Sequence, residues 1–172
     1  MEYEDQEFEQ QTFEKLNLSG ENFSHTKFID CNFENCNLSN IEIYNTKFQN
    51  VKFNNCKIMG INFSKISQLT FSPEFNNCII STCSFSSLKL SKTPFTNCQI
   101  VQTDFTDSNL ISCNFENSKF KETQFFNCNL NFANFKNASG YTIDPKNNRL
   151  RKAKFSFPEV ISLLDIFEIE IE

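Results

Sequence analysis

The sequence predicts an all-β solenoid: a chain wound into short stacked coils of square section, closed by a C-terminal helical cap. Three observations predict it. A large apolar residue recurs at every fifth position, small residues are preferred two places before such centres, and asparagine crowds the place two after them. A period of 3.6 makes a helix and a period of 2 a strand. Five makes neither, so each unit must be a short extended side followed by a bend.

Length and composition bound the rest. A chain of 172 residues suits one domain with a short appendage. Its 22 Phe residues, with no Trp, exclude a disordered acidic tail. No run approaches the roughly 18 apolar residues of a membrane helix. The first fourteen residues carry Glu2, Glu4, Asp5, Glu7, Glu9 and Glu14 without an apolar core, so no secretory signal is expected. The expectation is a soluble cytoplasmic protein with no membrane contact.

Residues 1–7 read as an acidic N-terminal arm. Residues 8–139 carry the repeat. From Phe8, steps of five reach Phe13, Leu18, Phe23, Phe28, Phe33, Leu38, Ile43, Phe48, Phe53, Ile58 and Phe63. From Phe75 they reach Ile80, Phe85, Leu90, Phe95, Ile100, Phe105, Leu110, Phe115, Phe120, Phe125, Leu130 and Phe135. With 39% apolar residues overall, chance would give this run at a probability of about 10⁻¹⁰. The step from Phe63 to Phe75 is twelve residues, and Leu69 divides it into two sixes. We expect two single-residue bulges within 64–74, with Leu69 as an inward centre.

The small-residue slot holds all eight cysteines, at 31, 36, 56, 78, 83, 98, 113 and 128. Asn35, Asn40, Asn45, Asn50, Asn55, Asn77, Asn97, Asn117, Asn127 and Asn137 mark the corners, since Asn tolerates left-handed backbone. Four sides close a coil in twenty residues. Cys36, Cys56, Cys78 and Cys98 then share one column, which favours a square section. The chain would make about 6.5 coils stacked at ~4.8 Å.

Residues 140–172 leave the pattern as a linker, a helix and a short strand. Lys146, Arg149, Arg151, Lys152 and Lys154 cluster first. Ser156-Phe157-Pro158-Glu159 then reads as a capping box with Pro in the first turn. Val160, Ile161, Leu163, Leu164 and Phe167 form an apolar face, and Ile169-Glu170-Ile171-Glu172 alternates like a half-buried strand. Such a tail caps the last coil and has apolar surface to spare. Phe126 and Phe132 face outward on the last coils, where the tail is expected to cover them.

The five-residue unit (small, Asn or Asp, Leu or Phe, polar, variable) resembles the pentapeptide-repeat family over about Phe8–Ala138. The resemblance implies a right-handed quadrilateral β-helix. The tail is similar to that of Qnr-like, quinolone-resistance-type pentapeptide proteins, whose terminal helix carries a two-fold contact. It implies a homodimer through Val160, Leu163, Leu164, Phe167, Ile169 and Ile171. Some Qnr-like proteins act on DNA gyrase and topoisomerase IV as rods that present acidic side chains in place of duplex DNA. The implied partner is therefore a type II topoisomerase, with no direct contact to nucleic acid. The long projecting loops of that group are missing here. The alternative is a generic protein-binding scaffold without topoisomerase activity.

Catalysis is not expected. No C-x-x-C pair occurs, so the cysteines read as core filler rather than metal ligands or disulfides. Reduced thiols also fit the cytoplasm. His25 is the only histidine and falls at an outer corner, away from every inward thiol. Three glycines, at 20, 60 and 140, make no phosphate loop. No cofactor, metal or catalytic residue is assigned.

Charge is balanced along the coils, where eleven acids face eleven bases between Phe8 and Asn137, and the net −5 comes from the ends. Sorted by face, Glu42, Asp104 and Asp107 fall on one side with Glu21 at its edge, opposed by Lys65. These are the candidate DNA-mimicking acids. Glu14, Glu34, Glu74 and Glu116 fall opposite, diluted by Lys15, Lys52 and Lys136. Lys27, Lys47, Lys89 and Lys92 gather on a third side.

Overall fold

The computed structural model describes residues 3–170, and the chain is a quadrilateral β-helix of about seven turns. All strand pairs are parallel, and each coil lies twenty or twenty-two residues from the next. Phe8 pairs with Phe28 and Phe28 with Phe48; Phe33 pairs with Phe53, and Phe53 with Phe75; Ile58 pairs with Ile80, and Ile80 with Ile100. Four faces follow from this register. The first is centred on Phe23, Ile43, Phe63, Phe85, Phe105 and Phe125. The second is centred on Phe28, Phe48, Leu90, Leu110 and Leu130. The third runs from Phe13 through Phe75 to Phe135, and the fourth from Leu18 through Ile80 to Phe120.

The third face carries an unbroken ladder of eight rings. Phe13, Phe33, Phe53, Phe75, Phe95, Phe115, Phe135 and Phe155 stack at centroid separations of 4.8, 5.2, 5.1, 4.9, 5.3, 4.8 and 5.1 Å. Each separation matches the strand spacing of ~4.8 Å, so a ring per coil fills the column without a void. Rings of different columns meet edge-on instead, as Phe95 and Phe105 do at 5.7 Å and 89°. This suits the ring quadrupole, which favours tilted or offset contact.

The slot two residues before each centre asks for more than smallness. Where this residue is Cys, Ser or Thr, its side chain can donate a hydrogen bond to the main-chain carbonyl of the centre on the preceding side, one coil below. Cys36 Sγ reaches the Phe13 carbonyl at 3.3 Å, Cys56 Sγ that of Phe33 at 3.3 Å, and Cys78 Sγ that of Phe53 at 3.2 Å. Thr46, Ser108 and Ser118 hydroxyls do the same at 2.7, 2.6 and 2.6 Å. Cys, Ser and Thr are the short side chains that carry a donor, which explains why they dominate the slot. All eight thiols are free and buried. Burial pushes Cys83 and Cys128 up to about 11 and raises Cys113 further; Cys56 is raised by the neighbouring Cys78 thiol and then by burial.

The corners are left-handed as the asparagines predict. Asn35, Asn40, Asn45, Asn50 and Asn55 have φ of 52–56°, and Asn77, Asn97, Asn117, Asn127 and Asn137 have φ of 53–60°. Gly140 stands where Phe120 lies one coil before; a Cβ there would come 2.3 Å from the Phe120 carbonyl oxygen.

The structure corrects the interruption. Leu69 is not a centre: it is 97% exposed, while Phe71 packs partly against the core beside Phe48 and Phe63. Both extra residues belong to one side, between buried Ile66 and buried Pro73, on the second face. Two short 3-10 turns, Phe63–Lys65 and Gln68–Thr70, replace the extended side. Neither Lys65 nor Ser72 takes the left-handed corner conformation. Without those corners the side bows outward as a loop, held at its ends by Ser67 N to Thr46 O and Ser72 N to Phe48 O, each 3.0 Å.

Both ends differ from expectation. Within the stretch expected as an acidic arm, residues 3–7 already join the coils, since Tyr3 is 5% exposed and contacts Phe8, Phe13 and Phe23 and Glu7 opens a strand. Tyr3 sits five residues before Phe8, in the frame. At the other end the coils run past 139. Tyr141, Ile143 and Asn148 are buried, Lys154–Phe155 pairs with Asn134–Phe135, and Phe155 ends the ring ladder. The frame survives at Asn148, Leu150, Ala153 and Phe155, but irregular steps before them hide it in the sequence.

The capping box does not form. The tail is a 3-10 helix, Glu159–Phe167, that begins from Pro158 without a side-chain cap. Ser156 instead accepts from the Asn137 amide at 2.9 Å, tying the tail to the last corner. The Ser162 hydroxyl donates to the Glu159 carbonyl three residues back at 2.8 Å, within the tighter turn. Ile169 is exposed and lies in no strand, and Ile171 is outside the described residues.

Two outcomes are expected. Phe95→Ala, which opens a hole in the middle of the ladder, costs about 3–5 kcal/mol, read from denaturant midpoints; a loss below about 1 kcal/mol contradicts the packing. The raised thiols set the pH dependence: they stay neutral in the folded chain while those of the unfolded chain ionise near their ordinary value of 9.0. Their contribution is therefore complete below about pH 9 and is lost as pH climbs beyond it. Melting temperature should fall above about pH 9, and a thiol reagent at about pH 8 should find the cysteines only after unfolding.

Candidate interaction faces

A solenoid acts through its outward positions, which are the residues flanking each centre and the corner residue after them. On the first face Glu42 and Asp104 occupy the same outward column. Asn22 bridges to Glu42, Asn62 to Ser84, Ser84 to Asp104, and Asp104 to Gln124. Three coils separate the two acids, about 14 Å at the strand spacing. Asp104 accepts from the Thr106 amide at 2.8 Å, and Asp107 accepts from Asn127 Nδ2 at 2.6 Å. The structure thus puts Asp104 and Asp107 on one side of a single coil and leaves Glu42 three coils away, beyond the ~8 Å screening length of physiological salt. Glu21 does not join them. It fills an inward slot and is half-buried, and its carboxylate adds to burial in raising the Tyr3 phenol.

The third face neutralises itself. Lys15 meets Glu14 at 3.0 Å, Lys52 meets Glu74 at 3.8 Å and Lys136 meets Glu116 at 3.9 Å, while Glu34 accepts from Asn54 at 2.7 Å. The second face collects Lys27, Lys47, Lys89 and Lys92 as the frame predicts. The additional coil then brings Arg149 and Arg151 to the same face with Lys152 at its corner, as the bridges from Lys89 to Asn109, Asn109 to Asn129 and Asn129 to Arg149 show. The place of these three on the second face is hidden in the sequence, because the five-residue period breaks after Ala138.

The tail sorts its apolar residues by a period of three, not 3.6. In a 3-10 helix residues i and i+3 eclipse. Val160, Leu163 and Ile166 form one half-buried row, with Leu163 packed against the core cluster. Leu164 and Phe167 lie on another row and remain exposed, as does Ile169 beyond it. The predicted interface set is therefore split: Val160 and Leu163 serve the cap, and Leu164, Phe167 and Ile169 look outward. Lys146 lies over the Phe167 ring at 4.8 Å. The tail closes the end of the rod rather than its flank, so Phe126 and Phe132 stay exposed at 48% and 46%, contrary to expectation.

His25 is an exposed corner residue whose ring meets Tyr44 edge-on at 5.5 Å. Among the described residues no three His, Cys, Asp or Glu side chains are grouped so as to hold a metal ion.

The folded chain is similar to two solved, trypsin-treated variant forms of QnrB1, a plasmid-mediated fluoroquinolone resistance protein. One has a TM-score of 0.70 at 18% identity and the other 0.67 at 17%, each over 99% of this chain and 92% of that one. At such identity the likeness is one of fold. No curated protein matches the chain. A model of the pentapeptide repeat region matches residues 6–72, and a model of eight copies of the pentapeptide repeat matches residues 103–139. These matches cover the coils on both sides of the loop, and the chain belongs to the pentapeptide-repeat family.

Proposed function

We propose that the protein is a non-catalytic, cytoplasmic interaction module that docks as a homodimer on a type II topoisomerase, gyrase or topoisomerase IV, where duplex DNA would otherwise lie. The observation that carries this reading is the fold likeness over nearly the whole chain to a fluoroquinolone resistance protein. The rod is straight enough for eight rings to share one column, about 34 Å at the strand spacing. Glu42 and Asp104 share an outward column on its first face, with Asp107 at the adjoining corner. Carboxylates held along a rigid rod meet the Lys and Arg side chains that otherwise bind phosphates. The exposed row of Leu164 and Phe167, with Ile169, leaves the apolar end surface that a two-fold partner covers.

Supercoiling by gyrase, with and without a quinolone, tests the partner. Micromolar protein should inhibit the enzyme or protect it from the drug. The triple variant Glu42→Lys, Asp104→Lys, Asp107→Lys should lose at least tenfold of that effect. Inertness of the wild-type protein toward both topoisomerases rejects the reading, and an unimpaired triple variant rejects the face. Light scattering tests the dimer: Leu164→Glu should halve the mass, and an unchanged dimer mass would place the contact elsewhere.

A further inference from the structure

We propose that the second face is a docking surface for an acidic protein segment that also carries apolar side chains, with Leu69 as its apolar anchor. The sign of the charge comes from the outward residues. From the third coil to the last, this face presents Lys47, Lys89, Lys92, Arg149, Arg151 and Lys152, and no carboxylate occupies any of its outward positions. None of the six forms an ion pair among the described residues; Lys27, one coil earlier, is taken by Glu7 at 2.7 Å. Lys27 and Lys47 are direct cross-strand partners, so Glu7 offsets the first of the column and leaves Lys47 and the cations beyond it without a carboxylate. The cations span five coils, about 24 Å.

The kind of partner comes from the loop. The extra residues bow out on this face and no other, and they carry Leu69 into water at 97% exposure, between the coil of Lys47 and that of Lys89. A cleft of about 240 Å³ lies at the foot of the loop, lined by Phe71, Ser72, Lys89, Lys92 and Pro94, with Glu74 of the third face at its edge, where Lys52 offsets it at 3.8 Å. Leu69 and Lys89 flank a second hollow beside it. Further along, Phe132 holds a left-handed corner at φ 63° and is 46% exposed, next in its column to Lys152. A nucleic acid would satisfy the cations but leave Leu69 and Phe132 wet, and a protruding apolar knob would hold a rigid duplex off the face. A polypeptide with Glu or Asp interspersed with Leu or Phe satisfies both. Charge would speed and orient the encounter, and the buried apolar anchor would slow release.

This surface is separate from the first-face acids, so the two readings fail independently. The full-length protein is titrated, with anisotropy detection, against three labelled probes: a twenty-residue peptide alternating Glu-Glu-Leu with Glu-Glu-Phe, an all-Glu peptide of equal charge, and a duplex DNA of matched charge. The Glu/Leu/Phe peptide should bind at least tenfold more tightly than either other probe, and more weakly as salt rises. Lys89→Glu with Lys92→Glu should weaken it at least tenfold. Leu69→Ser should weaken it about tenfold while leaving the all-Glu peptide unchanged. Leu69 is too exposed for that change to disturb folding, and equal melting temperatures verify this. The first-face triple variant should bind the peptide as wild type does. The proposal is overturned by no binding up to about 100 μM, by tighter binding of the duplex, by indifference to Leu69→Ser, or by a change of oligomeric mass in the charge-reversed variant, which would make a second copy the occupant.

Discussion

A large hydrocarbon group at every fifth residue can leave water only if the backbone turns a corner between each and the next. That constraint generates the molecule. The turn needs a residue that accepts positive φ, and Asn or Gly pays the smallest steric penalty. Turning four times brings the chain back beneath itself at the strand spacing, where main-chain groups pair from coil to coil. Phenylalanine fits because its ring is flat and stacks at nearly the pitch of the coil, as the separations of 4.8–5.3 Å along the third face show. The slot residue completes the unit by bonding the inward carbonyl that the preceding coil leaves with a free lone pair.

Much of this was legible in the sequence because it depends on period, and period survives in a single chain. The centres, the slot, the corners and the vertical column of Cys36, Cys56, Cys78 and Cys98 all follow from counting. What counting missed has a local physical cause. Leu69 has the right chemistry and spacing for a centre, but its side lacks both left-handed corners, so Phe71 takes the inward place. Tyr3 lies in frame but among acids that suggest an arm. The last coil begins with Gly140 and irregular steps, which conceal that Leu150 and Phe155 are centres. The donor role of the slot was also readable, since Cys, Ser and Thr share a donor as well as a small volume.

The faces were less legible than the coils, because a charge has meaning only after its column is known. Balanced composition hides an unequal arrangement: one face pairs its charges internally, one carries separated acids, and one carries, from its third coil onward, cations without a carboxylate among them. The tail shows the same dependence on geometry. Read with a helical period of 3.6, its apolar residues form one interface; wound three to a turn, they divide into a row that seals the rod and a row that faces outward. The rigid part of the structure thus fixes where outward groups stand, and its two irregular parts, the loop and the tail, bring Leu69, Leu164, Phe167 and Ile169 to the surface.

A crystal structure of the protein is the most direct measure of the central claim, because it locates the rings themselves. The account predicts Phe33, Phe53 and Phe75 superposed down one wall, about 5.2 and 5.1 Å apart and within 12° of parallel. Density that places any of these three side chains on a different wall, or outside the coil, would contradict it.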